Sequence, residues 1–81
     1  MDAHYTPKPA TQARIDRAFT HHAPIPGTDQ ADRYREIRSH LGLLATRLCQ
    51  LCPESRELNI ALHHLEDAQS WAIASIARNE G

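Results

Sequence analysis

CPESRELNIALHHLEDAQSWAIASIAR, residues 52–78, decides the architecture. Within it Leu58, Ala61, Leu62, Leu65, Ala68, Ala72 and Ile76 recur at three- and four-residue steps. That spacing gathers apolar side chains on one side of an α-helix. The stretch reads as a single amphipathic helix announced by Cys52-Pro53. Ile60, Trp71 and Ser75 fall off the main stripe and form a second, partly apolar face. A face of this kind needs a partner of its own, and in a chain of 81 residues a second copy is the expected one.

Working upstream, Ile37, Leu41, Leu44, Leu48 and Leu51 lie four, three, four and three residues apart, a packing seam on a helix from Asp29 to Leu51. Thr28 or Asp29 is its expected cap. Gly42 interrupts the seam at about 1 kcal/mol relative to alanine, which a close approach by another backbone would explain. Pro53 suits the first turn of the next helix, and Glu54 and Glu57 put negative charge at its positive end. The second long helix is therefore expected from Pro53 to Asn79, antiparallel to the first across a tight LCPES turn.

Ahead of this hairpin, Thr11 is the expected cap of a short helix ending at Phe19, with Ile15, Ala18 and Phe19 on its apolar face. Residues 1–10 hold two prolines and read as extended or frayed; residues 21–28, HHAPIPGT, read as a loop. The expected fold is all-α: an N-terminal arm over residues 1–27 with a short helix and a Pro-rich loop, then a hairpin domain over residues 28–81. A bare hairpin has a one-layer core and is marginal. The arm is thus expected to fold over it and copies to assemble.

Composition bounds the function. The formal net charge is −1, from ten acids against nine bases, with six histidines besides. A protein coating DNA or RNA polymers relies on surplus positive charge, which is missing here. Eight of the nine bases are arginines, whose planar fork suits phosphate and carboxylate. The apolar runs fall well short of a membrane span. Met1-Asp2-Ala3-His4 opens polar with no apolar run behind it, so cytoplasmic residence with reduced thiols is expected. Cys49 and Cys52 form a CxxC at a helix end, whereas redox pairs usually open a helix beside a βαβ unit. His63 and His64 could add zinc ligands, but neighbours on a helix point about 100° apart. The two cysteines are read as small apolar residues lining the closed end, with no metal and no cofactor expected.

The residues then carry a resemblance. Asp29-Gln30, Arg33-Tyr34, Ile37-Arg38, Ala45, Cys52-Pro53, Ser55-Arg56-Glu57, Ala61-Leu62, Leu65-Glu66, Ala68, Trp71-Ala72 and Ile76-Ala77-Arg78 follow a pattern resembling a hairpin domain of small bacteriophage proteins. These are the sponges that counter CBASS and Thoeris immunity by sequestering cyclic nucleotide messengers. The resemblance covers roughly residues 20–79 and is strongest over 52–78. Ile73 departs from it, standing where the family pattern carries an asparagine, and the arm before Thr20 matches least. The resemblance implies a homo-oligomer, by analogy a hexamer, with pockets between protomers. It implies ligands of the cyclic dinucleotide, cyclic trinucleotide or cyclic ADP-ribose type, bound without cleavage in the cytoplasm of an infected bacterium.

Such ligands call for arginines on phosphate and rings on bases. Arg33, Tyr34 and Arg38 stand near the start of the first long helix, Arg33 and Arg38 about 140° apart on the helical wheel. One of those arginines can serve ligand while the other pairs with an acid; Tyr34 can stack on a base or simply pack. His21 and His22 occupy the loop, where binding residues concentrate, yet exposed loop histidines are also ordinary. Arg56 lies in the first turn of the second long helix, where backbone N–H groups favour an anion; an ion pair is its plain alternative. His63 breaks the polar side of the helix and can face a ligand or an interface. Trp71, Gly42 and Ile60 are read as oligomer contacts, with Trp71 the anchor. Arg78 complements the helix dipole.

No nucleophile triad, Gly-rich phosphate loop or paired carboxylates in an apolar setting occur in the chain, so an enzyme is not expected. The rival reading is a helical-hairpin protein–protein interaction module without nucleotide affinity. A zinc-stabilised adapter resting on Cys49 and Cys52 comes third.

Overall fold

The computed structural model describes residues 3–19 and 29–80. Three helices account for most of them: α1 (Pro9–Phe19), α2 (Gln30–Leu51) and α3 (Arg56–Asn79). Among the described residues there is no strand. The all-helical hairpin expected from the sequence is present, with α2 and α3 antiparallel and α1 packed across them. His21, His22 and Thr28 lie outside the described residues.

Element boundaries follow local chemistry, and two of them differ from the sequence reading. Helix α1 opens at Pro9 rather than Thr11, because proline fits the first helical position, where no N–H is needed. The Thr11 hydroxyl, freed from capping, donates to Glu54 Oε1 at 2.8 Å. Helix α2 stops at Leu51 because Cys52 precedes a proline and is held extended at φ −120°, ψ 142°. Helix α3 starts at Arg56, not Pro53: Ser55 is the N-cap, and its hydroxyl accepts from the Leu58 backbone N–H at 3.1 Å. A serine oxygen satisfies an orphan donor that proline leaves unmet, so the start moves past Pro53. At α2 the cap position falls on Asp29, whose side chain makes no cap bond and instead pairs with Arg33.

The core is small and shared by all three helices. Ile15 and Phe19 of α1, Ala45 and Cys49 of α2, and Leu58 and Leu62 of α3 are buried, with Ala18, Leu41, Leu48, Cys52 and Leu65 packed around them. Leu62 is the large side chain buried most completely, and such burial contributes roughly 1.5–3 kcal/mol. Of the expected α2 seam, Leu41 and Leu48 pack against the core and Leu44 departs from it. Leu44 is 45% exposed, whereas Ala45 is fully buried. The shift arises because α2 packs against α1 on one flank and α3 on the other. The direction between those flanks runs through Ala45 and Cys49. On α3, Ala68 is likewise exposed instead of lining the core.

Gly42 receives its close neighbour from within the chain. A β-carbon there would lie 3.2 Å from Phe19 Cβ, so the missing side chain is what lets α1 lie down on α2. Polar ties reinforce that seat. Arg14 reaches α3 through Glu66 Oε1 at 3.0 Å and Asn59 Oδ1 at 3.4 Å, and Gln69 Nε2 donates to the Ala18 carbonyl at 2.8 Å. The extended residues before α1 continue over the turn: His4 and Tyr5 N–H groups both donate to the Gln50 carbonyl, at 2.8 and 2.9 Å. The arm therefore folds over the hairpin, as the thinness of a two-helix core requires. Cys49 is buried and reduced, Cys52 half-buried, both at the closed end. Burial pushes the Cys49 thiol above its ordinary pKa, as expected of a packed, unreactive sulfur.

Candidate functional site

Two groups of candidate residues stand at opposite ends of the hairpin. At the open end, Arg33 grips Glu80 through both terminal nitrogens, Nη1 to Oε2 at 2.8 Å and Nη2 to Oε1, and Nη2 also reaches Asp29 Oδ1 at 3.2 Å. Hydrogen bonding to Glu80 raises the Arg33 pKa still further from neutrality, and the same contact holds the Glu80 carboxyl below the usual range. Arg33 is therefore committed to acids within its own chain, the plainer of the roles its position allowed.

One turn on, the arrangement differs. The Arg38 guanidinium lies 6.0 Å from the centre of the Tyr34 ring, a cation–π contact. Its Nη1 is buried without a hydrogen-bond partner among the described residues. A buried charged donor left unpaired is costly, which is why such groups tend to mark places where an acceptor arrives. Arg38 lines a cleft of about 260 Å³ between α1 and α2, with Ser39, Leu43 and Thr46 contributed by α2 and Ile15 and Phe19 by α1. Asp16 also borders it, so the cleft is amphoteric rather than purely cationic.

At the closed end, Arg56 is the first residue of α3 and is exposed. It has no ion-pair partner among the described residues. Glu54 is occupied by Thr11. Arg56 thus combines a free fork with the positive end of a helix dipole, an arrangement that attracts phosphate or carboxylate. Roughly 35 Å of helix separates it from the Arg33–Glu80 pair, so a single chain does not bring the two ends to one small ligand.

The remaining candidates divide clearly. His63 is exposed beside Glu66 and Asp67, its ring nitrogens 3.9 and 3.8 Å from their carboxylates, surroundings that favour a cation over an anion. Trp71 is 67% exposed and Ile60 41% exposed, both on the outer side of α3 away from the core. The Arg78 guanidinium lies 5.8 Å from the Trp71 ring centre. Sequence reading passed over His4 and Tyr5, whose rings sit 6.5 Å apart on the arm that crosses the closed end, with Tyr5 43% exposed. Their placement depends on a backbone contact to Gln50, far away in sequence, and no local pattern announces it.

A family model for the Acb2/Tad1 hairpin domain matches residues 11–77, spanning all of α2, nearly all of α3 and most of α1. The chain belongs to the Acb2/Tad1 hairpin-domain family. This is the family of anti-CBASS and anti-Thoeris sponges, whose members bind rather than convert their ligands. No curated protein and no solved structure matches the chain. Within the family framework, the match includes Arg33, Tyr34, Arg38, Gly42, Arg56, Ile60, His63 and Trp71, and it leaves the His4–Tyr5 arm outside. Among the described residues no helix is long and apolar enough to cross a membrane, and no three His, Cys, Asp or Glu side chains gather as a metal site.

Proposed function

We propose that this protein is a non-catalytic sponge that binds and withholds a cyclic oligonucleotide messenger, a cyclic dinucleotide, cyclic trinucleotide or cyclic ADP-ribose species, in the host cytoplasm. Membership of the hairpin-domain family carries the reading. Arg56 supports it chemically, as an exposed guanidinium at a helix N-terminus with no acid bound to it among the described residues. Arg38 over Tyr34 offers a second cation beside a ring. His21 and His22 are assigned supporting contacts, with Arg33 holding the open end against Glu80. Because the arginines of one chain stand far apart, a pocket with several phosphate contacts needs more than one chain. Self-assembly, as a hexamer by family analogy, meets that need. Trp71 and Ile60 are the assigned oligomer contacts; Gly42 already serves α1.

The reading predicts saturable heat when purified protein is titrated with a panel of cyclic di- and trinucleotides and cyclic ADP-ribose species. The bound ligand is then recovered chemically unchanged. Arg56→Ala weakens binding by tenfold or more, as expected for loss of a charge-assisted phosphate contact worth roughly 1.5–3 kcal/mol. Unchanged affinity removes Arg56 from the site, and absence of heat with every ligand rejects the sponge. The exposure of Trp71 favours the second reading in that event, a hairpin that docks a protein partner through the outer face of α3.

A further inference from the structure

The cleft between α1 and α2 carries both signs of charge. Asp16 comes to it from α1 and Arg38 from α2. Arg38 Nη1 is buried with no hydrogen-bond partner among the described residues, and the guanidinium lies 6.0 Å from the Tyr34 ring centre. A cation–π contact serves the face of a guanidinium, whereas its N–H groups lie in the plane and still call for acceptors. Asp16 is oriented by Gln12, whose Nε2 donates to Oδ1 at 3.1 Å. When ionised it offers only acceptors, just as Arg38 offers only donors.

Size and surface limit what enters. At about 260 Å³ the cleft falls below the roughly 300–1,000 Å³ of sites that enclose a drug-sized ligand, so it takes one ring system and not a whole cyclic dinucleotide. Ile15, Phe19 and Leu43 give it carbon surface, which suits the faces of a flat heterocycle. The charged groups suit its edges. A bare phosphate would satisfy Arg38 but would also stand against the Asp16 carboxylate, at a repulsive cost.

The two charged groups ask different things of a base. Arg38 needs acceptors and Asp16 needs donors. Guanine has both, on separate edges: O6 and N7 accept, while N1–H and the N2 amino group donate. Adenine sets an N6 amino donor beside N7, so an arginine fork meets a donor there. Its N1 is an acceptor and would face the carboxylate. Among the common bases, guanine alone offers an acceptor pair for a fork together with a donor pair for a carboxylate.

We propose that the α1–α2 cleft is a guanine pocket, in which Arg38 reads O6 and N7 and Asp16 reads N1–H and the N2 amino group. This rests on the sponge reading and narrows its ligand to a guanine-containing cyclic nucleotide. Asp16 and Arg38 are then the residues that set base specificity.

The test reads a ratio of affinities, in which general effects of charge and folding cancel. Cyclic dinucleotides and trinucleotides that differ only in base, carrying guanine, hypoxanthine or adenine, are titrated calorimetrically into the wild-type protein and two variants. Guanine ligands are expected to bind about tenfold or more tighter than adenine ligands, the discrimination one bidentate base contact supplies. Hypoxanthine keeps O6, N7 and N1–H but lacks the N2 amino group, and falls between them. Asp16→Ala is expected to erase the difference between guanine and hypoxanthine. Arg38→Lys keeps the charge without the fork and is expected to lower the preference of both over adenine. Asp16 is exposed, so truncating it leaves the core in place. Adenine ligands that bind as tightly as guanine ligands, or a guanine preference that survives Asp16→Ala, overturn the pocket and leave the sponge standing. Absence of binding by every ligand overturns both.

Discussion

Phe19 lies directly over Gly42, its β-carbon 3.2 Å from the place an alanine methyl would take. Two effects oppose each other at this contact. Alanine favours an α-helix over glycine by about 1 kcal/mol. Overpacking a fitted core costs about 1–3 kcal/mol. The clashing atom is a β-carbon near the backbone of a buried side chain on a helix tied down by Arg14 and Gln69, so relief requires moving α1 itself. Gly42→Ala is expected to destabilise the fold by about 1 kcal/mol net in urea unfolding, with Gly42→Leu considerably worse. A stabilised Gly42→Ala protein refutes the tight seat.

The Arg33–Glu80 clamp gives a local pH dependence. The Glu80 carboxyl is held below its ordinary value, first by its hydrogen bond from Arg33. Its contribution is fully present above the ordinary carboxylate range and is lost as pH falls through the depressed value. Both side chains are partly exposed, at 37% and 41%, so the effect is confined to the end of the hairpin and is screened by salt. The Glu80 N–H bonds to the Ile76 carbonyl at 3.1 Å, and it reports the event directly. Its hydrogen-exchange protection is expected to fall on acidification, and Glu80→Gln to start low and lose that pH dependence. Equal protection in both proteins at all pH values removes the clamp.

Much of this fold was legible because apolar periodicity is a local signal. Leu58, Leu62 and Leu65 identified the inner face of α3, Ile15 and Phe19 that of α1, and Ile60 and Trp71 stood apart as outward residues. The errors came where several contacts compete. Leu44 fitted a four–three seam, but with α1 and α3 both packed on α2 the buried position is Ala45. Pro53 was an acceptable helix start until Ser55 offered a better cap. The candidate site was legible in kind more than in arrangement. Arg56 could be singled out as a phosphate-seeking group from its place in the first turn, yet Glu80 as the counter-ion of Arg33 depends on two helix ends meeting.

Ser55 carries the start of α3, and substitution separates it from its neighbours. Ser55→Ala removes the acceptor for the Leu58 N–H and is expected to cost about 1 kcal/mol. Pro53 lies in the turn outside the helix, so Pro53→Ala frees the unfolded chain and costs only about 0.5 kcal/mol. Paired urea titrations rank the two. The reverse order places the helix start at Pro53.

Leu62 and Trp71 occupy opposite faces of one helix, and they are expected to fail in opposite ways. Leu62 is 1% exposed, so Leu62→Ala leaves a cavity beside Cys49 and Leu58 in a core too small to absorb it. A loss of about 2–5 kcal/mol follows, a large fraction of the stability of any small domain. Trp71 lies outside that core among the described residues and makes a cation–π contact with Arg78, worth about 0.5–1 kcal/mol at an exposed site. Trp71→Ala is therefore expected to keep its helical circular dichroism while light scattering reports a smaller particle. If Trp71→Ala unfolds the chain instead, the indole belongs to the protomer's own stability; if mass and fold are both unchanged, the outer face of α3 holds no partner copy.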